Sequence, residues 1–390
     1  PSGASTVHHT SFGVNESGSP VLFVATSHGP AIYDPNQPKL VTWGTEFKNF
    51  VYVSTAAKAP AAIFMDATGE LYYISKRSNK TWSDVRPLGV KAHRLAKNPV
   101  MISPLGDFAV VRIQSDDGVA ITEFAVVNLQ PNTDLPPKVL KFEQSFYEGR
   151  NSAFVEDYTF VTFARVGSPR RPTGSQLWRI NPSSGEIWHD KSIPLSSNLY
   201  DGQVVGSVEL IVTDVGLEQE GRRLPGWDIF NLSNFKLVDA IETQHWSQME
   251  VNPKSGAYLL SNTSDRTAMV VLPPPQNWWD QLRSYFNRRS AFFLEHPQAL
   301  GVNESMVHTL WHPSGNAVIG VLTNGIRTWN LKTLEANWHS IDLPPGFVIS
   351  RAFKPIVSSD GIYLVVGIHN PEVKDSARAL LLQLPYKSVM

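Results

Sequence analysis

Short apolar runs broken by tight Pro/Gly turns recur along the whole 390-residue chain, and this repetition constrains the fold more than any other feature. Ser103-Pro104-Leu105-Gly106-Asp107 separates NPVMI from FAVVRIQ, and Asn252-Pro253-Lys254-Ser255-Gly256 separates SQMEV from AYLLSNT. His312-Pro313-Ser314-Gly315-Asn316 separates VHTLW from AVIGVLT, and a turn through Asp360-Gly361 precedes IYLVVGIHN. In such turns Pro presets φ and Gly takes the left-handed position that other residues resist. The flanking runs read as strands by their period and β-branched content, and helical periodicity is scarce. The turns return roughly every 45–60 residues, a repeat length of radially repeated sheets. A lone four-stranded meander leaves apolar faces uncovered, so the meanders must stack on one another and close without free edges. The expected fold is therefore all-β: a single β-propeller over residues 1–390, of four-stranded antiparallel blades. Eight units can be counted, with seven as the alternative. The last unit lacks an obvious fourth strand, so either Val7–Val14 completes it or a short terminal blade stands alone.

Three segments then bear a family resemblance. LWHPSGNAVIGVLTNGIRTWNLKT, the run Trp227-Asp228-Ile229-Phe230-Asn231-Leu232, and the hairpin LWRINPSSGEIW resemble degenerate WD-repeat blades. The resemblance implies the same propeller architecture.

One stretch departs from the strand pattern. After Pro273-Pro274-Pro275, the residues Trp278, Trp279, Leu282, Arg283, Phe286, Arg288, Arg289 and Phe293 recur near helical spacing. They predict an amphipathic helix over 277–296, within an insertion at 273–300 in a blade loop. Aromatic rings beside Arg are frequent in binding hot spots, which makes these eight residues the candidate partner site. The same composition suits peripheral membrane contact or packing on the propeller's own side with the Arg heads in water. Two polar insertions, 166–175 and 217–226, are expected as mobile loops bearing Arg170-Arg171 and Arg222-Arg223.

Composition narrows the chemistry. A net charge of −1 lacks the electrostatic footprint of a dedicated nucleic-acid binder. With no cysteine, disulfides, thiolate nucleophiles and Cys-ligated metals are excluded. No apolar run reaches the ~18–20 residues that span a bilayer, and Pro-Ser-Gly-Ala-Ser at the start has no signal-peptide pattern. Five Asn-x-Ser/Thr sequons, at Asn15, Asn79, Asn231, Asn262 and Asn303, compare with about three expected by chance. An intracellular location is expected ahead of a secreted one.

No phosphate loop, His-Glu-x-x-His, Gly-x-Ser-x-Gly elbow or acidic Ca²⁺ loop is present. His8-His9 are strand neighbours that point to opposite faces and cannot chelate one ion together. Asp116-Asp117, Asp201, Asp214 and Asp360 are expected at turns, capping backbone N–H groups. Ser75–Trp82 resembles a worn-down Asp-box of sialidase-like propellers and predicts a hairpin with a buried Trp82. The pentapeptide Gly-Val-Asn-Glu-Ser at 13–17 and 301–305 falls at non-equivalent repeat positions and is read as coincidence. The function expected from these residues is a non-catalytic scaffold that binds a protein or peptide, without cofactor or metal. The alternative is a secreted propeller that binds or hydrolyses glycans or small metabolites in its central funnel.

Overall fold

The computed structural model describes residues 5–385 except 44–46, 48, 77–80, 95, 97, 114–120, 131–136, 148–151, 158, 169–170, 185, 194–198, 206–209, 220–221, 235, 243–247, 263–266, 272–290, 295–305 and 334. Residues 1–240 and 241–390 form two compact units. Among the described residues there are strands and turns but no helix.

In the first unit, β1 (Val7–Val14), β2 (Pro20–Thr26), β3 (Gly29–Asp34) and β4 (Lys39–Thr42) form one antiparallel meander. The second comprises β5 (Phe50–Thr55), β6 (Ala61–Asp66), β7 (Glu70–Ser75) and β8 (Arg86–Lys91). The third has β9 (Val100–Ile102), β10 (Phe108–Ile113), β11 (Ile121–Asn128) and β12 (Lys138–Tyr147). The fourth has β13 (Ala153–Glu156), β14 (Thr159–Ser168), β15 (Arg171–Asn181) and β16 (Glu186–Ile193). These last two are fused by pairing of Phe146 with Val166 and Tyr147 with Arg165. A further meander follows: β17 (Leu199–Val205), β18 (Leu210–Gln219), β19 (Arg222–Asn231) and β20 (Leu237–Glu242).

The second unit holds β21 (Gln248–Val251), β22 (Tyr258–Asn262), β23 (Thr267–Val271) and β24 (Ala291–Leu294) in one meander. The next is β25 (Met306–Trp311), β26 (Ala317–Leu322), β27 (Gly325–Asn330) and β28 (Ala336–Ser340). Its last sheet joins β29 (Val348–Ile349), β30 (Ile356–Val357), β31 (Tyr363–His369) and β32 (Arg378–Gln383). Here β29 and β30 share one edge of β31, and β32 takes the other.

The middle strands show why the sheets stack. In β6 the side chains alternate: Ala62 and Phe64 pack with Val21, Phe23 and Ile32 of the first sheet. Ala61, Ile63 and Met65 pack on the other side with Val100, Ile102, Val111 and Val127 of the third. A strand with apolar side chains on both faces is stable only between two sheets. In the second unit, β26 repeats the arrangement: Val318 faces Leu259 and Val270, while Ile319 and Val321 face Leu364 and Val366.

Polar bonds stitch the first strands together. Ser11 Oγ and Thr55 Oγ1 are 2.8 Å apart, and Thr55 Oγ1 also donates to Phe12 O. The Ile102 N–H donates to Ser54 Oγ at 3.4 Å, and Arg112, almost fully buried, donates to Ser152 Oγ at 2.7 Å. On the surface, Lys58 Nζ meets Asp157 at 2.7 Å, with the Lys side chain 59% exposed. Such solvated pairs contribute little. Lys58→Ala is expected to cost under about 1 kcal/mol, because the Lys58 N–H bond to Pro104 O stays in place; an unfolding titration checks this.

The turn tetrads do more than reverse the chain. Gly106, Gly256, Gly315 and Gly361 all have φ between 70° and 76°. In the second unit the first residue of one tetrad reaches the glycine of the next. Asn252 Nδ2 donates to Gly315 O at 2.8 Å, and His312 Nε2 lies 3.0 Å from Gly361 O. Since that carbonyl only accepts, Nε2 carries the proton, and Nδ1 accepts from the Ser314 N–H at 3.1 Å and its hydroxyl at 2.7 Å.

Several expectations need correction. The C-terminal end of the expected helix is a strand: Ala291–Leu294 pairs with β23, with Phe293 opposite Met269. An Ala-Phe-Phe-Leu run fits a pleated edge as well as a helix, and completing a four-stranded sheet decides between them. The rest of 277–296 lies outside the described residues. The expected loops at 166–175 and 217–226 are instead extensions of two long hairpins, paired as far as Ser168 with Arg171 and Gln219 with Arg222. Neighbouring backbones satisfy each other's hydrogen bonds there, so polar side chains do not prevent pairing. Asp201 and Asp214 are not at turns but directly opposite each other in β17 and β18. Asp360 is at its turn and accepts from the Ile362 N–H at 3.0 Å, whereas Asp116-Asp117 lie outside the described residues. Val7–Val14 pairs with β2 along its length as the first strand of the first sheet.

Candidate functional site

A cavity of about 350 Å³ opens in the second unit between the first strands of its sheets. Strand β21 supplies Met249 and Glu250, and β25 supplies His308, Thr309 and Leu310. The segment between β29 and β30 closes one side with Ala352, Lys354 and Pro355. That segment is held by three contacts. The Ser350 N–H donates to Gly367 O at 2.8 Å, Pro355 is buried, and Phe353 packs over Gly367, where any side chain would overlap its ring.

The Glu250 backbone carbonyl accepts from Trp311 Nε1 at 3.2 Å, which fixes β21 against β25. Its carboxylate meets Lys354 Nζ at 2.8 Å. The two partners are unequally placed, for the Glu side chain is 25% exposed and the Lys 73%. A Lys that is mostly in water gains about 0–1 kcal/mol from such a contact. His308 lines the same space, with Nε2 buried and without a hydrogen-bond partner. Burial lowers its pKa, partly offset by a backbone hydrogen bond with Ser350. Loss of hydration thereby favours the neutral form of the ring. Apolar Met249, Leu310, Ala352 and Pro355 thus share the lining with polar Glu250, His308, Thr309 and Lys354, and the volume sits at the lower end of the ~300–1,000 Å³ range of binding cavities.

The first unit contains a buried polar row of a different kind. The His9 ring lies 4.5 Å from the Tyr52 ring, and the Val53 N–H donates to His9 Nδ1 at 3.4 Å. Burial pushes His9 down to about 4 and Tyr52 up to about 12. The Tyr52 hydroxyl donates to Asn98 Oδ1 at 3.5 Å. His8 is exposed beside the covered His9, as opposite faces of a strand require. These groups bridge neighbouring sheets and hold neutral forms, so their contribution is to cohesion.

The sequence-expected site is only partly visible. Trp278, Trp279, Leu282, Arg283, Phe286, Arg288 and Arg289 lie outside the described residues, and Phe293 is in β24. Trp82 of the Asp-box-like segment packs edge-on to Phe23 at 5.4 Å, and Lys76 bridges to Trp82 across the hairpin. Glu250, His308 and Lys354 went unnoticed in the sequence. The one available signal was a charged or imidazole side chain inside the otherwise apolar runs SQMEV and VHTLW. Among the described residues, no group of three or more His, Asp or Glu is placed to hold a metal ion. No helix there is long and apolar enough to cross a membrane.

With this geometry in hand, the chain falls into the class of β-propellers. It is similar to Kluyveromyces lactis Hsv2 with complete loop 6CD, itself a propeller, at TM-score 0.51 and 13% identity over 87% of this chain and 98% of that one. The same protein with loop 6CD replaced by a Gly-Ser linker gives TM-score 0.50 and 12% identity, again over 87% and 98%. The β-propeller domain of Cps50 (Swd1) from Myceliophteria thermophila gives TM-score 0.49 and 9% identity over 98% of this chain and 97% of that one. By sequence, no protein-family model and no curated protein matches the chain.

Proposed function

We propose that this propeller, read as eight four-stranded blades, is a non-catalytic interaction module that docks a protein or peptide partner. The observation that carries the reading is the cavity beside Glu250: small, lined by Met249, Leu310, Ala352 and Pro355 beside His308 and Thr309, with its carboxylate paired only to a solvated lysine among the described residues. Such a space has room for one side chain of a docked segment. Rigid strands on either side keep it formed before a partner arrives, which lowers the ordering cost of binding. The aromatic–Arg segment, with Trp278, Trp279, Leu282, Arg283, Phe286, Arg288, Arg289 and Phe293, is assigned to the same role on its composition.

Parallel peptide and glycan arrays test the proposal. The purified chain is expected to bind a defined set of peptides saturably, to leave them intact by mass spectrometry, and to ignore the glycans. Polar substitution of Trp278 and Phe286 is expected to weaken that binding at least tenfold. Binding confined to glycans, or cleavage of either ligand, would overturn the proposal.

A further inference from the structure

We infer that the cavity at Glu250 is a receptor for a cationic side chain of lysine or arginine type, and that Lys354 is its built-in placeholder. The inference deepens the interaction reading above and rests on it for the source of the ligand. Its warrant is a covered carboxylate set beside apolar walls. The Glu250 carboxylate is three-quarters covered, and its one described ionic partner is a lysine that is itself mostly in water. His308 adds a buried Nε2 without a hydrogen-bond partner. A covered carboxylate is costly to leave unpaired, and an ammonium or guanidinium brings several N–H donors to it at once. Met249, Leu310, Ala352 and Pro355 supply the walls that the aliphatic stem of such a side chain packs against.

An anionic ligand fits poorly, because Glu250 would repel it and Lys354 is already committed to that carboxylate. A neutral apolar ligand that displaced Lys354 would leave the Glu250 carboxylate without a cation. A cationic ligand has to displace Lys354 alone, and that lysine regains full hydration as it swings out, since its segment is anchored by Phe353 and Pro355 rather than by the ion pair. Lys354 therefore holds the carboxylate until a better-fitting cation takes its place.

The probes are Nα-acetyl-lysine methylamide, Nα-acetyl-arginine methylamide and the neutral Nα-acetyl-norleucine methylamide. Binding is read on the full chain from the Met249 methyl and His308 ring signals in NMR. One of the cationic probes is expected to shift both signals saturably, and norleucine to bind at least tenfold more weakly. Lys354→Ala is expected to tighten the cationic probe about two- to tenfold, and Glu250→Gln to weaken it at least tenfold. Unchanged near-ultraviolet circular dichroism confirms folding of each variant, and in Glu250→Gln the carbonyl that holds Trp311 is retained. Equal binding of norleucine and lysine, no gain in Lys354→Ala, or no loss in Glu250→Gln would each overturn the inference. If array peptides bind wild type and Glu250→Gln alike, the inference fails while the interaction reading stands. If the cationic probes bind at Glu250 but no peptide does, the cavity is a cation receptor and the interaction reading fails.

Discussion

Gly361→Ala is expected to destabilise the second unit by about 2–4 kcal/mol, the largest effect of any single methyl group discussed for this protein. Two costs combine. Gly361 has φ 76°, where an L side chain costs about 1 kcal/mol or more. The added Cβ would also overlap the His312 ring, and forcing a methyl into a packed site costs typically 1–3 kcal/mol. The ring has nowhere to go, because Nε2 is bonded to Gly361 O and Nδ1 to Ser314. Gly18 supplies the control, since its φ is 78° but a Cβ there would meet nothing within 4 Å. Gly18→Ala should therefore show the backbone cost alone, about 1 kcal/mol. Denaturant titration of both variants measures the difference. Repeating Gly361→Ala in a His312→Ala background should bring its cost down toward that of Gly18→Ala. Equal costs for the two glycines in the wild-type background would show that the tetrad contact carries no strain.

The stability of the first unit should fall as the solution is acidified below neutrality, with His9 as a principal cause. Unfolded, this histidine titrates near 6.5; folded, burial holds it at about 4. The unfolded chain therefore takes up its proton first. The contribution is complete above pH 6.5, drains away as pH falls from 6.5 toward 4, and levels off below that. At 1.36 kcal/mol per pH unit, the loss comes to roughly 3 kcal/mol. Protonation would also convert Nδ1, which accepts from the Val53 N–H, into a donor facing a donor. Replacing His9 with Phe keeps a ring against Tyr52 and removes the titration. The difference in unfolding free energy between the two proteins should then change by roughly 3 kcal/mol between pH 7 and pH 4. A flat difference, or a His9 ring signal that titrates near 6.5 in the folded protein, would contradict the burial argument.

The repeat was legible because it is local. Each tetrad carries its own φ demands, and each flanking run is apolar enough to be a strand wherever it lies, so 98–113, 248–262 and 306–322 could be delimited residue by residue. What misled the reading was equally local. Polar stretches such as Glu218-Gln219-Glu220-Gly221-Arg222-Arg223 look like a loop in isolation, yet Gln219 and Arg222 still pair across a hairpin turn. Ala291–Leu294 had no turn signal to separate it from the helical spacing upstream. The cavity residues gave almost no warning, because Glu250, His308 and Lys354 are 58 and 46 residues apart along the chain.

By itself, then, the sequence determined that this protein is built of stacked four-stranded meanders, because apolar strands between tight turns have no other way to leave water. Only the tertiary structure decided which charged groups share a space. Whether Glu250 meets Lys354, or His308 keeps an Nε2 without a partner, depends on how strands from separate sheets are set side by side, and the period of one strand carries no information about its neighbour across the gap.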